Sequence, residues 1–435
     1  MAAPVSSQQG AAVPAHTSNG HNGTNGTTTT AIPTTNGTGE SNATTAMPGL
    51  SAEEMAQYDR QIRLWGAEAQ QRIRSANILL ISLRALGTEI AKNLTLAGVE
   101  SLTIVDEGLV VEEDLGAQFF VREEDIGKPR AESAIPRIQE LNPRVKVRSG
   151  GSLQNLLGRV EAFSAYDCII ACDHDLMTLS GINAAARVAS RPFYAAGIHG
   201  FYGYIFADLV GHEFVVEREK SNITTQMQAE TLTRAIVSVT TRKENNGKTT
   251  EIVKKQELYC PLLIANSSAL PQDVLSSRRK LKMVPALLPC LRALFEFQRD
   301  YQKLPEATPQ DLAIFTTLAT NKARELQLPH ETLRADFLRS FMQSIGAEIM
   351  PTAAFVGGRL SEDVINVLGK REQPIQNFAL FDGDGLEGKI YSLYTFTPEL
   401  SALGSNMSAG MPMSGQMITD MPMDMGNGGG SINLV

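Results

Sequence analysis

Asn77-Ile78-Leu79-Leu80-Ile81-Ser82-Leu83-Arg84-Ala85-Leu86-Gly87 is the stretch that decides how the chain folds. Its first six residues form a short apolar run of the kind that fills a buried parallel strand. A turn containing Gly87 follows, then a helical pattern through Ile90, Leu94 and Ala97 that Gly98 can cap. Leu102-Thr103-Ile104-Val105-Asp106 reads as a second strand and ends in an acid. Together these make a βαβ unit, and Asp106 falls near where a nucleotide fold places its ribose ligand. The glycine fingerprint that accompanies such a unit is broken. Ser82, Arg84 and Gly87 occupy the positions of G-x-G-x-x-G, with Ala85 beside Arg84, so one glycine of three survives. The second glycine normally lets the backbone approach a phosphate, and Arg84 puts a long side chain there. The spacing keeps the fold signal and loses the phosphate cradle.

Upstream, Ser51 and Glu54 have the spacing of a capping box that opens a helix. Met55, Tyr58, Ile62, Trp65, Ala69 and Ile73 then recur at steps of three and four, which predicts one apolar helical face. Arg60 and Arg63 lie off that face, beside the only Trp of the chain. They are either an anion-binding device or a solvated surface.

Downstream the alternation of strand and helix continues. A helix is expected after Ile126-Gly127-Lys128 and up to Leu141, with strands at Val145–Val147, Tyr166–Cys172 and Phe193–Ala196 and a helix over Leu176–Ala189. Gly200–Leu209 has the aromatic, β-rich look of an antiparallel edge. Ile236–Thr241 and Thr249–Val253 read as a hairpin joined through Asn245-Asn246-Gly247. Residues 270–345 are expected to be mostly helical. Pro351–Arg359 heads a last helix, and Phe378–Gly383 a last strand.

The chain has 435 residues, 43% of them hydrophobic, which is enough for a sizeable core. Its net charge of -8 argues against a general nucleic-acid binder, because no basic excess exists to neutralise phosphates. No apolar run reaches ~18 residues, so no membrane span is expected. The first residues lack the basic and apolar regions of a secretory signal, so Asn22-Gly23-Thr24 and Asn36-Gly37-Thr38 count as composition and not glycosylation sites. Residues 1–49 contain one acid, Glu40, and neither Lys nor Arg. Seven of the fifteen Met lie between Met407 and Met425. Both ends, 1–49 and 402–435, are expected to be disordered tails. Four cysteines without a CxxC pair argue for a reducing compartment and against structural zinc, and Cys168–Cys172 reads as a buried strand. Tyr194, Phe201, Tyr202, Tyr204 and Phe206 read as core and dimer-face packing. His174, His199, His212 and His330 lack ligand-spaced partners and receive no role.

Tyr58–Gly66, the βαβ unit, Gly116-Ala117-Gln118-Phe119, Ile126-Gly127-Lys128-Pro129-Arg130-Ala131-Glu132, Pro351–Arg359 and Phe381-Asp382-Gly383 stand in an order that resembles the ubiquitin-like-protein activating enzymes. The likeness spans residues 51–395. With Gly211-His212-Glu213-Phe214-Val215, it is nearest to the small, non-catalytic subunits of heterodimeric SUMO-activating enzymes. It implies a doubly wound, mostly parallel α/β sheet of the adenylation, Rossmann-like type, with a smaller helical insert. The segments would be 50–220 and 341–401 for the pseudo-adenylation domain and 221–340 for the insert. The family uses ATP and Mg²⁺ to adenylate a modifier's C-terminus and then moves it to a cysteine. In this chain Ala117 stands where the family's nucleotide-contacting Arg falls, the loop at Ser82, Arg84, Ala85 and Gly87 is degenerate, and no cysteine has a thioester context. Asp106 and Asp173 then become relics at strand ends. The resemblance therefore implies a regulatory subunit with no complete active site, metal or cofactor of its own. ATP and Mg would be bound by an obligate catalytic partner, and SUMO would be the modifier. Arg60 would reach the partner's ATP phosphates in trans as a planar, permanently charged donor. A nuclear location, and secondarily a cytoplasmic one, goes with that role. The alternatives are the equivalent subunit for another ubiquitin-like modifier, disfavoured by the short 220–340 region, and a nicotinamide-dependent oxidoreductase, disfavoured by the missing glycines.

Overall fold

The computed structural model describes residues 51–244, 247–385 and 387–394. Both expected tails and the Asn245-Asn246 turn lie outside them. Ser51 and Glu54 do form a reciprocal capping box. The helix they open is not continuous. It breaks into α1 (Ala52–Gln57), α2 (Asp59–Trp65) and α3 (Ala67–Arg74). Gly66 takes φ +85°, a left-handed value that a residue with a Cβ rarely adopts, and this turns α3 away from α2. The apolar stripe is accordingly divided: Tyr58, Ala69 and Ile73 are buried, whereas α2 buries none of its residues.

The βαβ unit forms as expected from β1 (Asn77–Ile81), α4 (Ala85–Ala97) and β2 (Ser101–Val105). Next come α5 (Arg130–Leu141), β3 (Lys146–Ser149), α6 (Leu153–Leu157), β4 (Cys168–Cys172), α7 (Leu176–Val188), β5 (Phe193–His199) and β6 (Tyr202–Asp208). A separate three-stranded antiparallel sheet follows, β7 (Gly211–Glu219), β8 (Arg234–Lys243) and β9 (Thr249–Leu258), in the order β7-β9-β8. Helices α8 (Leu262–Ser267), α9 (Gln272–Leu275), α10 (Arg278–Lys282), α11 (Leu287–Tyr301), α12 (Pro309–Glu325), α13 (Ala335–Ser344) and α14 (Met350–Gly369) lead to β10 (Phe378–Asp382) and β11 (Glu387–Tyr391).

The main sheet has the order β11-β10-β6-β5-β4-β1-β2-β3. From β3 to β5 every pairing is parallel, and from β5 to β11 every pairing is antiparallel. The aromatic strand β6 is therefore antiparallel but not an edge. Its free side is taken by β10, whose sequence lies about 170 residues further on. Strand alternation splits the core between two faces. Leu79, Ile81, Ile169, Phe193 and Phe206 face α7 and the α11–α13 helices, while Ile78, Leu80, Ile170, Tyr194 and Ile205 face α4, α5 and α14. The helices of residues 287–342 thus share a core with the sheet. All four cysteines are buried and free.

Candidate functional site

The chain leaves β1 toward β2 and β3 on one side and returns to β4 on the other, so the switch point of the doubly wound sheet lies between β1 and β4. Ligands of such sheets bind beyond the carboxyl ends of these strands. Ser82 follows β1 there, and Asp173 follows β4.

Ser82 has φ +75°, so the position of the first fingerprint glycine keeps a glycine-like backbone although its residue has changed. Gly87 keeps its residue for a steric reason: a Cβ on it would run into the carbonyl oxygen of Ser82. The loop thus retains the shape of a phosphate loop, but its groups are engaged elsewhere. The Leu83 amide donates to Asp106 Oδ2 at 2.6 Å, and Gly108 N donates to Asp106 Oδ1 at 2.8 Å. Arg130 Nη1 spans both oxygens of Asp106 at 3.0 and 3.1 Å, while its Nε donates to Asp114 Oδ2 at 3.1 Å and its Nη2 to the Leu109 carbonyl. At the other half, the Arg84 Nε lies 3.1 Å from Glu348 Oε1 as an ion pair, outside hydrogen-bond alignment, and Ala85 N donates to Glu348 Oε2 at 3.5 Å. Ala117 is buried and apolar, and Gln118 beside it ties the loop down by donating to the Leu83 carbonyl.

Asp173 also has a left-handed backbone, φ +57°, and accepts from Ile198 N at 3.2 Å. Its Oδ2 is buried without a partner. Burial, and then the neighbouring Glu348, push its carboxyl up to about 7. Burial likewise raises Glu348, against the pull of Arg84. His199 accepts from Gly346 N through Nδ1 and is pushed down to about 4, by burial and then by Arg84. His174 is lowered, mainly by burial, and its Nε2 is unpartnered. Among the described residues no cluster of His, Cys, Asp or Glu has the makings of a metal site.

Arg60 lies elsewhere, on α2. It is exposed, and among the described residues no hydrogen bond or ion pair engages it. Arg63, one turn on, pairs with Asp59 at 2.9 Å on the surface. Beside them a cleft of about 550 Å³ runs between α2, α4 and α14, lined by Leu64, Trp65, Leu96, Gly358, Ile365 and Arg371. Leu64 is 80% exposed, and Phe355, earlier on α14, is 52% exposed. Glu348, and the pairing of Arg130 with Asp106, were not legible as site features. Arg130 sits within a recognised motif, but nothing in the sequence aims it at Asp106, and a single acid three residues before Pro351 carries no pattern.

A doubly wound sheet whose switch point carries a nucleotide-type loop defines an α/β protein of the Rossmann-like type. Residues 58–395 match the ThiF family, and the chain belongs to it. It is 37% identical over 350 residues to the DNA damage tolerance protein RHC31 of Saccharomyces cerevisiae, covering 79% of this chain and 97% of that one. It is 35% identical over 342 residues to SUMO-activating enzyme subunit 1 of Homo sapiens, covering 77% and 94%, and 34% identical over 350 residues to the Xenopus tropicalis protein of the same name, covering 78% and 96%.

Proposed function

We propose that this chain is the regulatory, small subunit of a heterodimeric SUMO-activating enzyme, and that it supplies Arg60 in trans to an ATP site on its catalytic partner. The observation that carries the Arg60 assignment is its setting: an exposed guanidinium without an internal partner, on a helix with no fully buried residue, beside a cleft of mixed polar and apolar lining. Leu64 on that helix is exposed and Ile62 and Trp65 are only half-buried, which leaves an apolar strip for another chain. Family membership and near full-length similarity to SUMO-activating enzyme subunit 1 support the choice of modifier and of partner. ATP and Mg would be held by that partner, which would also supply the cysteine that accepts the modifier. Within this chain, Ala117 and the engaged amides of Leu83 and Ala85 favour a non-catalytic role. A nuclear place of action follows from the same reading.

In the assembled heterodimer, Arg60 would set its planar donor fork against the triphosphate as charge redistributes during adenylation. Fingers of this kind are worth ~10³–10⁵ in phosphoryl transfer, which sets an upper guide here. Arg60→Ala should slow ATP–pyrophosphate exchange about a hundredfold while the heterodimer still elutes intact by gel filtration, and Arg60→Lys should recover part of the rate. Loss of the heterodimer would make Arg60 a packing residue. Exchange catalysed by the isolated chain would overturn the regulatory assignment itself.

A further inference from the structure

The switch point holds internal stand-ins for both halves of a nucleotide. We propose that Glu348 and Arg130 keep this chain's nucleotide crevice closed, the carboxylate standing where a phosphate would sit and the guanidinium covering the ribose acid. The proposal rests on the reading above only in taking the working ATP site to be the partner's.

The loop has not collapsed. Ser82 keeps a positive φ and Gly87 keeps its close contact, so the backbone still presents amides at the start of the thirteen-residue helix α4. Those amides are where an anion would be received. Ala85 N instead meets Glu348 Oε2, whose side chain is only 11% exposed and is countered by Arg84 from within the loop. Leu83 N meets Asp106, whose two oxygens are also claimed by Arg130 Nη1. The Arg130 and Asp106 side chains are 11% and 4% exposed, so their charges are matched to each other and not to solvent. An external phosphate would have to displace a tethered carboxylate at the helix end and meet its charge at close range. The crevice is filled as well as mutated, which accounts for a loop that keeps its shape with two of its glycines gone.

Inorganic pyrophosphate, titrated calorimetrically into the full chain, tests this. Glu348→Gln keeps the size of the side chain and removes its charge. It should bind pyrophosphate at least tenfold more tightly than the wild type and show a pyrophosphate-dependent rise in Tm that the wild type lacks. Adding Arg84→Met should abolish the gain. Wild-type binding as tight as the variant's, or a folded Glu348→Gln that gains nothing, would overturn the proposal. Should that variant fail to fold by circular dichroism, Glu348→Ala, which removes the carboxylate and its charge from α4, is judged by the same two outcomes. Neither outcome bears on Arg60, whose test is the exchange rate of the heterodimer.

Discussion

Two residues at the switch point hold a backbone conformation that favours glycine. Ser82 holds φ +75° and Asp173 φ +57°, each a conformation that costs an ordinary L-residue ~1–2 kcal/mol. Ser82→Gly should therefore be neutral to ~1 kcal/mol stabilising, the relief of strain being partly offset by glycine's greater freedom in the unfolded chain. Gly87→Ala should cost about 3 kcal/mol, because its methyl would overpack against the Ser82 carbonyl. Denaturant midpoints at constant m-value decide both. A loss above ~1 kcal/mol for Ser82→Gly would mean that the hydroxyl is in use. At this scale the sequence was legible where a residue type has one dominant use, as with the last glycine of the fingerprint or the Ser51–Glu54 box. It was silent about Glu348, because a carboxylate's role here depends on which helix end the fold brings to it.

Elements were legible where burial leaves a pattern in the sequence. The continuous apolar runs of β1 and β4 reflect strands covered on both faces, the three- and four-residue steps of α4 reflect a helix buried on one, and together they carried the doubly wound sheet. The continuous helix expected through Tyr58 and Trp65 failed at Gly66, whose positive φ belongs to the chain's path and not to hydrophobic spacing. The misread edge at β6 failed because pairing is non-local, and a strand does not reveal that residues 378–382 will cover it. The coupling of β2 to α5 is likewise non-local. Arg130, at the first turn of α5, pairs with Asp106 after β2 and with Asp114 in the connection. Arg130→Met would leave two buried carboxylates without their cation and should destabilise by ~3–5 kcal/mol. Urea denaturation would measure this, and a loss below ~1 kcal/mol would show that the amides of Leu83 and Gly108 suffice for Asp106.

Across the whole molecule, buried ionisable groups pull stability in opposite directions with pH. Asp173 and Asp363 are raised to about 7 and about 6, in both cases chiefly by burial. Their native forms hold protons that the unfolded chain releases near its ordinary carboxylate value, so their contribution is full below that value and is lost as pH rises toward 6–7. His199 and His212 are lowered to about 4, again chiefly by burial, so theirs is full above the ordinary imidazole value and is lost as pH falls toward 4. Asp173→Asn keeps the acceptor for Ile198 N and removes one falling term. The Tm difference, variant minus wild type, should grow from pH 4.5 to 7 and then level off, and a difference constant with pH would show that Asp173 is ionised throughout. The balance of charge at the switch point has a further consequence. A fold that relies on a bound anion is stabilised by mass action, so its integrity follows the supply of that ligand. Here the counter-charges are covalently part of the chain, in Arg84, Asp106, Arg130 and Glu348. If those counter-charges hold the crevice as proposed, the chain's stability should not depend on the nucleotide concentration around it.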